Sequence, residues 1–355
     1  MKKTHNNGKD ATEKALDVFS DMLIEKIESL TKDDKWEQPW FTEGSAMRLP
    51  ININGRRYNG MNSIMLMLAQ EKAKYELPIW GTFNSWTSHN WKQIDGKPQM
   101  YHEKDEEGNE LPVVHINKGE KSMPVFITTF TVVNKKTHER IPYDEYKELD
   151  YEGRLEYEVY PRMIVYNVFN VAQTNFKEAR PKLYAKMVEN NTFTKETHLG
   201  EGVKIRSIDT MIEEQSWLCK IDIQYQNQAY YSLSRDVVVL PTREQFKDSE
   251  SFYGNLLHEM AHSTGRKDTL NRFADLEKFD HGKEELIAEL TAAFVLAQKG
   301  ITKNLKSDSC TYLKSWLDSL RQDAKFIKNV LSDVKKASEV IERHLEAKDN
   351  KENAA

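Results

Sequence analysis

The chain has 355 residues, of which 39% are hydrophobic and 30% charged, and its net charge is −5. This length allows two domains of ordinary size, each with its own core. The negative charge excludes nucleic-acid binding by bulk electrostatics, so such a role must rest on a local basic patch. Two cysteines without CxxC spacing argue against a disulfide framework or a thiolate zinc site. No signal-peptide core or membrane-length apolar run occurs, so we expect a cytoplasmic protein without a membrane partner.

The first third of the chain combines a helix with an unusual density of aromatic residues. Residues 1–10 are polar and are expected to be disordered, and apolar residues then recur at helical spacing between Leu16 and Leu30. Five of the seven tryptophans fall between residues 36 and 101, interleaved with lysines and arginines. Single-stranded nucleic acid binds such surfaces because bases stack on rings while cations follow the phosphates. Composition alone favours the alternative, in which the tryptophans are core residues and the cations are solvated.

The middle of the chain predicts strands and a boundary between two domains. Residues 125–133 and 163–171 are rich in β-branched residues and predict strands, whereas the charged stretch 135–157 predicts an inserted loop or a solvated helix. Further strands are predicted at 229–233 and 236–241. We expect a first domain at 11–178, a second at 190–347 and a disordered tail at 348–355. The predicted fold class is α+β, with a small mixed domain followed by a domain that contains the motif described next.

The strongest chemical signal is His258-Glu259-x-x-His262 within a helical run. Histidines four apart share one face of a helix and can direct both imidazoles to a zinc-like ion. Glu259 follows the first histidine and is placed to take a proton from a metal-bound water, which makes it the candidate catalytic base. The alternative is two surface histidines on an ordinary helix. Tyr230, Tyr231, Arg235 and His281 are candidate donors to an oxyanion, and the sequence does not choose among them.

A catalytic zinc needs a third protein ligand, for which two candidates follow the histidines. Asp268 would complete HExxHxxGxxD, whereas Glu285 and Glu289 lie four apart on a predicted helix at 284–297. We favour Glu285 as the ligand and Glu289 as the acid that orients a histidine, because bare charges on a buried helix are costly. We expect Asp268 and Glu284 to be solvated. A final helix is predicted from about 309 to 344, where it serves as core or as a brace between the domains.

The order of motifs resembles the ArdC-type antirestriction proteins of conjugative plasmids and other mobile elements. The resemblance covers most of residues 11–345. In the first half it rests on these motifs: Trp36-x-x-Pro39-Trp40, Gly55-Arg56-Arg57-Tyr58-Asn59-Gly60-Met61-Asn62, Pro78-Ile79-Trp80-Gly81-Thr82-Phe83-x-x-Trp86, and Lys118-Gly119-Glu120-Lys121-Ser122. In the second half it rests on these: His258-Glu259-x-x-His262-Ser263-Thr264-Gly265, Glu284-Glu285-Leu286-Ile287-Ala288-Glu289-Leu290, and Tyr312-Leu313-x-x-Trp316-Leu317. Departures are Arg266, where relatives often have histidine, and longer stretches at 103–110 and 135–160.

The resemblance implies a single-stranded-DNA-binding domain followed by a zincin-like metallopeptidase domain that holds zinc or another divalent metal such as manganese. It implies protection of incoming DNA from restriction. The residues that it assigns to DNA binding are Trp36, Trp40, Arg56, Arg57, Tyr58, Asn59, Trp80, Phe83, Trp86, Lys118 and Lys121.

Whether the chain hydrolyses peptides is a separate question. The metal site can be structural or vestigial, or the chain can be an active zinc metalloprotease acting on DNA-associated or other cytosolic proteins. In a third version, the protein is a plain soluble protease in which the first domain is only a scaffold or an inhibitory module.

Overall fold

A computed structural model describes residues 10–31, 49–58, 60–191, 204–301, 312–322 and 324–352. It confirms an α+β fold with helices and sheets in both halves of the chain. The elements of the first half are α1 (Ala11–Thr31), β1 (Ile51–Asn52), α2 (Met61–Ala73), β2 (Ile79–Thr82), α3 (Phe83–Thr87), β3 (Trp91–Ile94), β4 (Lys97–Met100), β5 (Met123–Asn134), β6 (Arg140–Ile141), α4 (Tyr143–Glu148), α5 (Tyr151–Leu155), β7 (Tyr157–Asn170), α6 (Phe176–Ala179) and α7 (Pro181–Asn191). Those of the second half are α8 (Arg206–Glu213), β8 (Lys220–Ile223), β9 (Tyr230–Ser232), β10 (Val237–Leu240), α9 (Ser249–Ser263), α10 (His281–Gln298), α11 (Leu313–Gln322) and α12 (Ala324–Glu352).

A five-stranded sheet in the order β1-β2-β7-β5-β6 forms the frame of the first half. Its centre is a long antiparallel ribbon in which β5 pairs with β7 from Met123↔Val168 to Asn134↔Tyr157. The charged stretch 135–157, predicted as a loop or a helix, contains β6, α4 and α5 at the far end of this ribbon. A separate hairpin, β3–β4, carries ten exposed residues from 91 to 100.

One hydrophobic cluster of the described residues crosses the predicted domain boundary, whereas two others lie on one side of it. One cluster joins α1, α2 and the sheet to the last helices, and its members include Phe19, Met65, Phe126, Leu290, Trp316 and Leu331. The Ser20 hydroxyl also donates to the Leu320 carbonyl at 3.2 Å. The C-terminal stripe, predicted as core or as a brace, therefore packs against both halves of the chain, so experiments on either half need the full chain.

The second half places a small sheet beside two buried helices. Strand β10 lies between β8, to which it is parallel, and β9, to which it is antiparallel. Helices α9 and α10 pack together through Leu257, Ala261, Ala288 and Ala292, whose small or apolar side chains allow close approach. Asp248 and Asp280 cap their amino termini by accepting from Ser251 N and Lys283 N.

The two ends of the chain were both predicted to be disordered. Helix α12 continues to Glu352, although residues from 348 onward were predicted to be disordered, and 353–355 lie outside the described residues. Residues 1–9 lie outside them as well. No described helix combines the length and the apolar character needed to cross a membrane.

Candidate metal centre and nucleic-acid surface

Helices α9 and α10 bring three candidate ligands together. The Nε2 atoms of His258 and His262 lie 3.2 Å apart. Glu285 reaches both of them, with carboxylate oxygens 3.3 Å from His258 Nε2 and 3.5 Å from His262 Nε2. One ligand atom from each of the three residues lies within 4.8 Å of the others, and no other group of three described His, Cys, Asp or Glu residues does so. Two imidazoles and one carboxylate form a donor set that suits a divalent metal with an open position.

Each histidine is oriented by a second carboxylate on α10. His258 Nδ1 donates to Glu289 at 3.0 Å, and His262 Nδ1 donates to Glu284 at 3.1 Å. Because an ionised carboxylate only accepts, these contacts place the proton on Nδ1 and leave both Nε2 atoms for a metal. The side chains of Glu289 and His258 are fully buried. The buried hydrogen bond to Glu289 therefore holds His258 in a single tautomer, as a metal-binding histidine requires.

Glu284 differs from the sequence prediction, which expected it to be solvated. It is 5% exposed, and Arg272 holds both of its oxygens at 2.7 and 2.9 Å. Burial alone raises the pKa of Glu284, but hydrogen bonds from Arg272 and His262 outweigh it and leave the pKa below its usual value. Arg272 was not identified from the sequence, since nothing local marks the loop between α9 and α10 as returning to the site.

The carboxylates also control the charge of His262. Burial lowers the pKa of His262, but its hydrogen bonds to Glu284 and Glu285 reverse the effect and raise the pKa to about 10. For Glu285, burial raises the pKa, whereas contacts with both histidines lower it well below the usual range. Without a metal ion, these contacts favour a protonated His262 beside an ionised Glu285. A bound metal ion would replace that proton as the positive charge of the site.

Asp268, the other candidate ligand, lies on the surface with a side chain that is 77% exposed, and it pairs with Arg266 at 3.5 Å. Arg266 itself bonds the Leu218 carbonyl at 2.6 Å and Asp236 at 2.8 Å. It therefore connects the end of α9 to the segments that flank the small sheet. Asp268 is not part of the ligand cluster.

A cleft of about 700 Å³ opens beside Glu259 and His262. Glu259 is 2% exposed and lines this cleft, as do three of the four candidate oxyanion donors: Tyr230, Tyr231 and His281. The Tyr231 hydroxyl donates to Asp236 at 2.8 Å, and burial together with Asp236 raises its pKa. Arg235 instead donates to the Tyr230 hydroxyl at 2.8 Å. The hydroxyl proton of Tyr231 is therefore donated to Asp236, whereas the Tyr230 hydroxyl accepts a hydrogen bond and keeps its own proton for another acceptor.

The residues predicted to bind DNA fall into three groups. Trp36, Trp40 and Asn59 lie outside the described residues. Arg56, Arg57 and half-buried Tyr58 line one cleft, while Phe83, Lys118 and Lys121 are exposed elsewhere.

Trp80 and Trp86 are core residues, 1% and 0% exposed, and their indole nitrogens donate to Gln70 Oε1 and to the Phe169 carbonyl. Their rings have no free face on which a base could stack. For these two tryptophans the structure supports the core alternative.

The structure reveals an exposed aromatic residue that sequence reasoning did not select. Trp91 is 51% exposed on the β3–β4 hairpin, directly opposite Met100. Asp95 and Gly96, both with positive φ, form the hairpin turn. An Asp-Gly pair between strand residues is a sequence signal for such a hairpin and could have identified this one. Buried Arg180 anchors the hairpin by donating to the His89 and Tyr101 carbonyls at 2.7 and 3.1 Å.

Comparison with known proteins agrees with both halves of this description. Residues 13–169 match the N-terminal domain of anti-restriction factor ArdC, and residues 207–332 match the zincin-like metallopeptidase family. The chain is an ArdC-type protein. This confirms the family suggested by the motifs and the fold class predicted from them.

Two relatives align in sequence with most of this chain. The uncharacterised protein y4eC of Sinorhizobium fredii is 27% identical over 313 residues, which are 86% of this chain and 84% of that protein. DNA primase TraC of Escherichia coli is 25% identical over 336 residues, 91% of this chain but only 26% of TraC. The chain thus spans about a quarter of that relative.

Two crystal structures of the antirestriction ArdC protein from plasmid R388 share the fold. The metal-free structure has a TM-score of 0.63 and 22% identity and covers 94% of this chain and 98% of its own. The Mn(II)-bound structure has a TM-score of 0.61 and 21% identity, with coverage of 95% and 98%.

Proposed function

We propose that this protein is an antirestriction-type protein that acts in the cytoplasm, binds single-stranded DNA and protects incoming mobile-element DNA. Its second half would carry one zinc or manganese ion in a metallopeptidase-like site. The observation that carries this proposal is the match of residues 13–169 to the ArdC N-terminal domain, followed in the same chain by a complete metal-ligand cluster.

Exposed rings and cations in the first half support DNA binding. Phe83 and Trp91 are 55% and 51% exposed, and the Lys92 ammonium lies 3.3 Å from the centre of the Tyr101 ring at the base of the hairpin. Arg57 contributes an exposed cation elsewhere in the first half. Rings that stack on bases and cations that follow phosphates bind single strands with little regard to sequence.

The first test measures binding of a fluorescent oligonucleotide to the full chain, single-stranded against duplex. We expect a preference for the single strand, and we expect Trp91→Ala and Arg57→Ala to weaken it. A lost base stack costs about 1–3 kcal/mol, so Trp91→Ala should reduce affinity about 5- to 150-fold. Tyr225→Ala is the matched control, because Tyr225 is 85% exposed but lies in the second half. Equal binding of single strand and duplex, or an equal loss with Tyr225→Ala, would contradict the proposal.

His258, His262 and Glu285 would hold the metal, with Glu284 and Glu289 fixing the two imidazoles. A divalent ion bound there would polarise a carbonyl and make water more acidic at neutral pH. Glu259, buried at the wall of the cleft, is the residue placed to hold and release a proton beside that position.

The choice of third ligand leads to a direct comparison of two variants. Loss of a residue that only orients a metal ligand costs about 10- to 100-fold in affinity. We therefore expect Glu285→Gln to weaken zinc or manganese binding by more than about 100-fold. Asp268→Asn should leave it unchanged, because Asp268 is exposed and paired with Arg266. Competition with a chromophoric chelator measures both constants, and the reverse order would assign the third ligand to Asp268.

A second candidate function is an active zinc metalloprotease acting on DNA-associated or other cytosolic proteins, with the first half as a scaffold. The observation that favours it is the cleft beside Glu259, which is large enough for several side chains and includes β9, an edge strand of the small sheet. The two candidates differ in whether protection of DNA requires hydrolysis.

A further inference from the structure

A second cleft lies where the first half of the chain meets the last helix. It has a volume of about 570 Å³ and is bounded by the loop after β1, by the β5–β7 ribbon and by α12. Four of its lining residues are basic: Arg56, Arg57, Lys328 and Lys335. None of the described residues that line it is acidic, although the whole chain has a net charge of −5. We call this the α12 cleft.

Hydrogen bonds fix two walls of the α12 cleft, the start of α2 and strand β5, to each other. The Asn62 side chain makes both possible backbone contacts with Phe126, donating to its carbonyl at 2.7 Å and accepting from its N–H at 2.8 Å. This pair fixes the start of α2 against β5. The loop that carries Arg56 and Arg57 therefore ends at an anchored point.

Gly60 brings Lys335 of α12 into contact with this loop. A Cβ at Gly60 would lie 2.5 Å from Lys335 Cδ and 2.6 Å from its Cγ, so the lysine stem lies directly on the glycine backbone. The φ of Gly60 is +53°, which also favours glycine. Gly60 lies in one of the motifs that mark the family. Because it has no side chain, Lys335 of α12 can lie close to the loop that carries Arg56 and Arg57.

The charges of the α12 cleft are available to a ligand. Lys328 and Lys335 are seven residues apart, which places them two turns apart on the same face of α12. Lys335 has one described ion pair, with Glu339 at 3.2 Å, in which both side chains are about half exposed. Such surface pairs contribute little, so a phosphate can replace the glutamate at small cost.

The floor of the cleft is apolar. Tyr58, Met61, Phe126 and Met163 line it, and Ile127 beside them is 47% exposed. Phosphates fit the basic rim, while bases can cover an apolar floor that includes an aromatic ring. An acidic peptide would match the charge but would leave this floor in contact with water.

We propose that the α12 cleft binds the backbone of single-stranded nucleic acid, with Lys328 and Lys335 contributing directly. This inference rests on the proposed function and extends it, because it places part of the DNA-binding surface on the last helix of the metal-binding half. A strand bound there would contact both halves of the chain at once.

The test compares Lys328→Gln/Lys335→Gln with Lys336→Gln/Arg343→Gln in the full chain. Both double variants remove two charges from exposed positions of α12, but Lys336 and Arg343 do not line the cleft. Anisotropy of a labelled thymidine oligonucleotide gives affinity between 50 mM and 300 mM salt. Each lost phosphate contact lowers the salt slope by about 0.7 for a single strand, so the cleft variant should lose about 1.4 and bind about 25-fold more weakly at 0.1 M salt.

Each outcome bears on a different claim. A reduced slope for the cleft variant alone supports the inference. If the unmodified protein binds the oligonucleotide and the two double variants behave alike, the α12 cleft is not part of the surface, although the proposed function stands. If the unmodified protein binds no oligonucleotide, the proposed function fails as well. Displacement of the oligonucleotide by polyglutamate at equal charge concentration would overturn the assignment in favour of an acidic peptide.

Discussion

Replacing Glu259 with glutamine is expected to lower any peptide hydrolysis by this protein about 10²- to 10⁴-fold while leaving metal and DNA binding unchanged. Glutamine preserves the shape of the side chain but cannot accept a proton at the position where Glu259 faces the cleft. The metal ligands and the acids that orient them are different residues, so metal affinity should be retained. Cleavage of unfolded and DNA-bound proteins, measured with zinc or manganese present, gives the rate.

Glu250→Gln provides the matched control for this result. Glu250 lies in the first turn of the same helix and is not part of the described cleft lining or ligand cluster. The glutamine variant at 259 also separates the two candidate functions. Protection of DNA that survives Glu259→Gln would exclude a mechanism that needs hydrolysis. Protection lost together with hydrolysis, with DNA binding intact, would instead favour the metalloprotease.

The second large effect concerns Arg272. This side chain is 7% exposed, and besides Glu284 it donates to the Ala261 carbonyl and the Thr264 hydroxyl, each at 2.8 Å. Arg272→Met would remove the cation that binds both oxygens of the buried Glu284 carboxylate and would leave it only its contact with His262. Breaking a buried pair in this way costs about 3–5 kcal/mol, so we expect a loss of that size in the free energy of unfolding of the metal-free protein. Urea unfolding followed by tryptophan fluorescence measures it.

Two comparisons define the cause of this loss. Arg321→Met removes an arginine whose pair with Glu28 is about half exposed, so it should cost less than about 1 kcal/mol. Arg272→Met/Glu284→Gln also removes the buried carboxylate that lost its arginine, and it should recover part of the stability. A cost for Arg272→Met no larger than that for Arg321→Met would show that the buried pair contributes no special stability.

The sequence by itself determined those features that depend on local spacing. Histidines four apart on a helix converge whatever surrounds them, so His258 and His262 were identifiable from the chain alone. The same holds for the main strands and for α10, because hydrophobic periodicity follows from which face of an element is buried. The family motifs then supplied the fold class that the structure and the comparisons confirm.

Only the tertiary structure decided which aromatic residues are exposed and which charged side chains contact each other. Trp80, Trp86 and Trp91 belong to one aromatic-rich stretch, but only Trp91 of the three is exposed, because sheet and helix packing covers the other two. Glu284 and Glu285 are neighbours in sequence, and only the rotation of α10 against α9 gives each its partner. The contacts of Arg272 with Glu284 and of Lys335 with Gly60 join residues that no local pattern connects. Such pairings arise when packing fixes distant elements together, and local spacing carries no information about them.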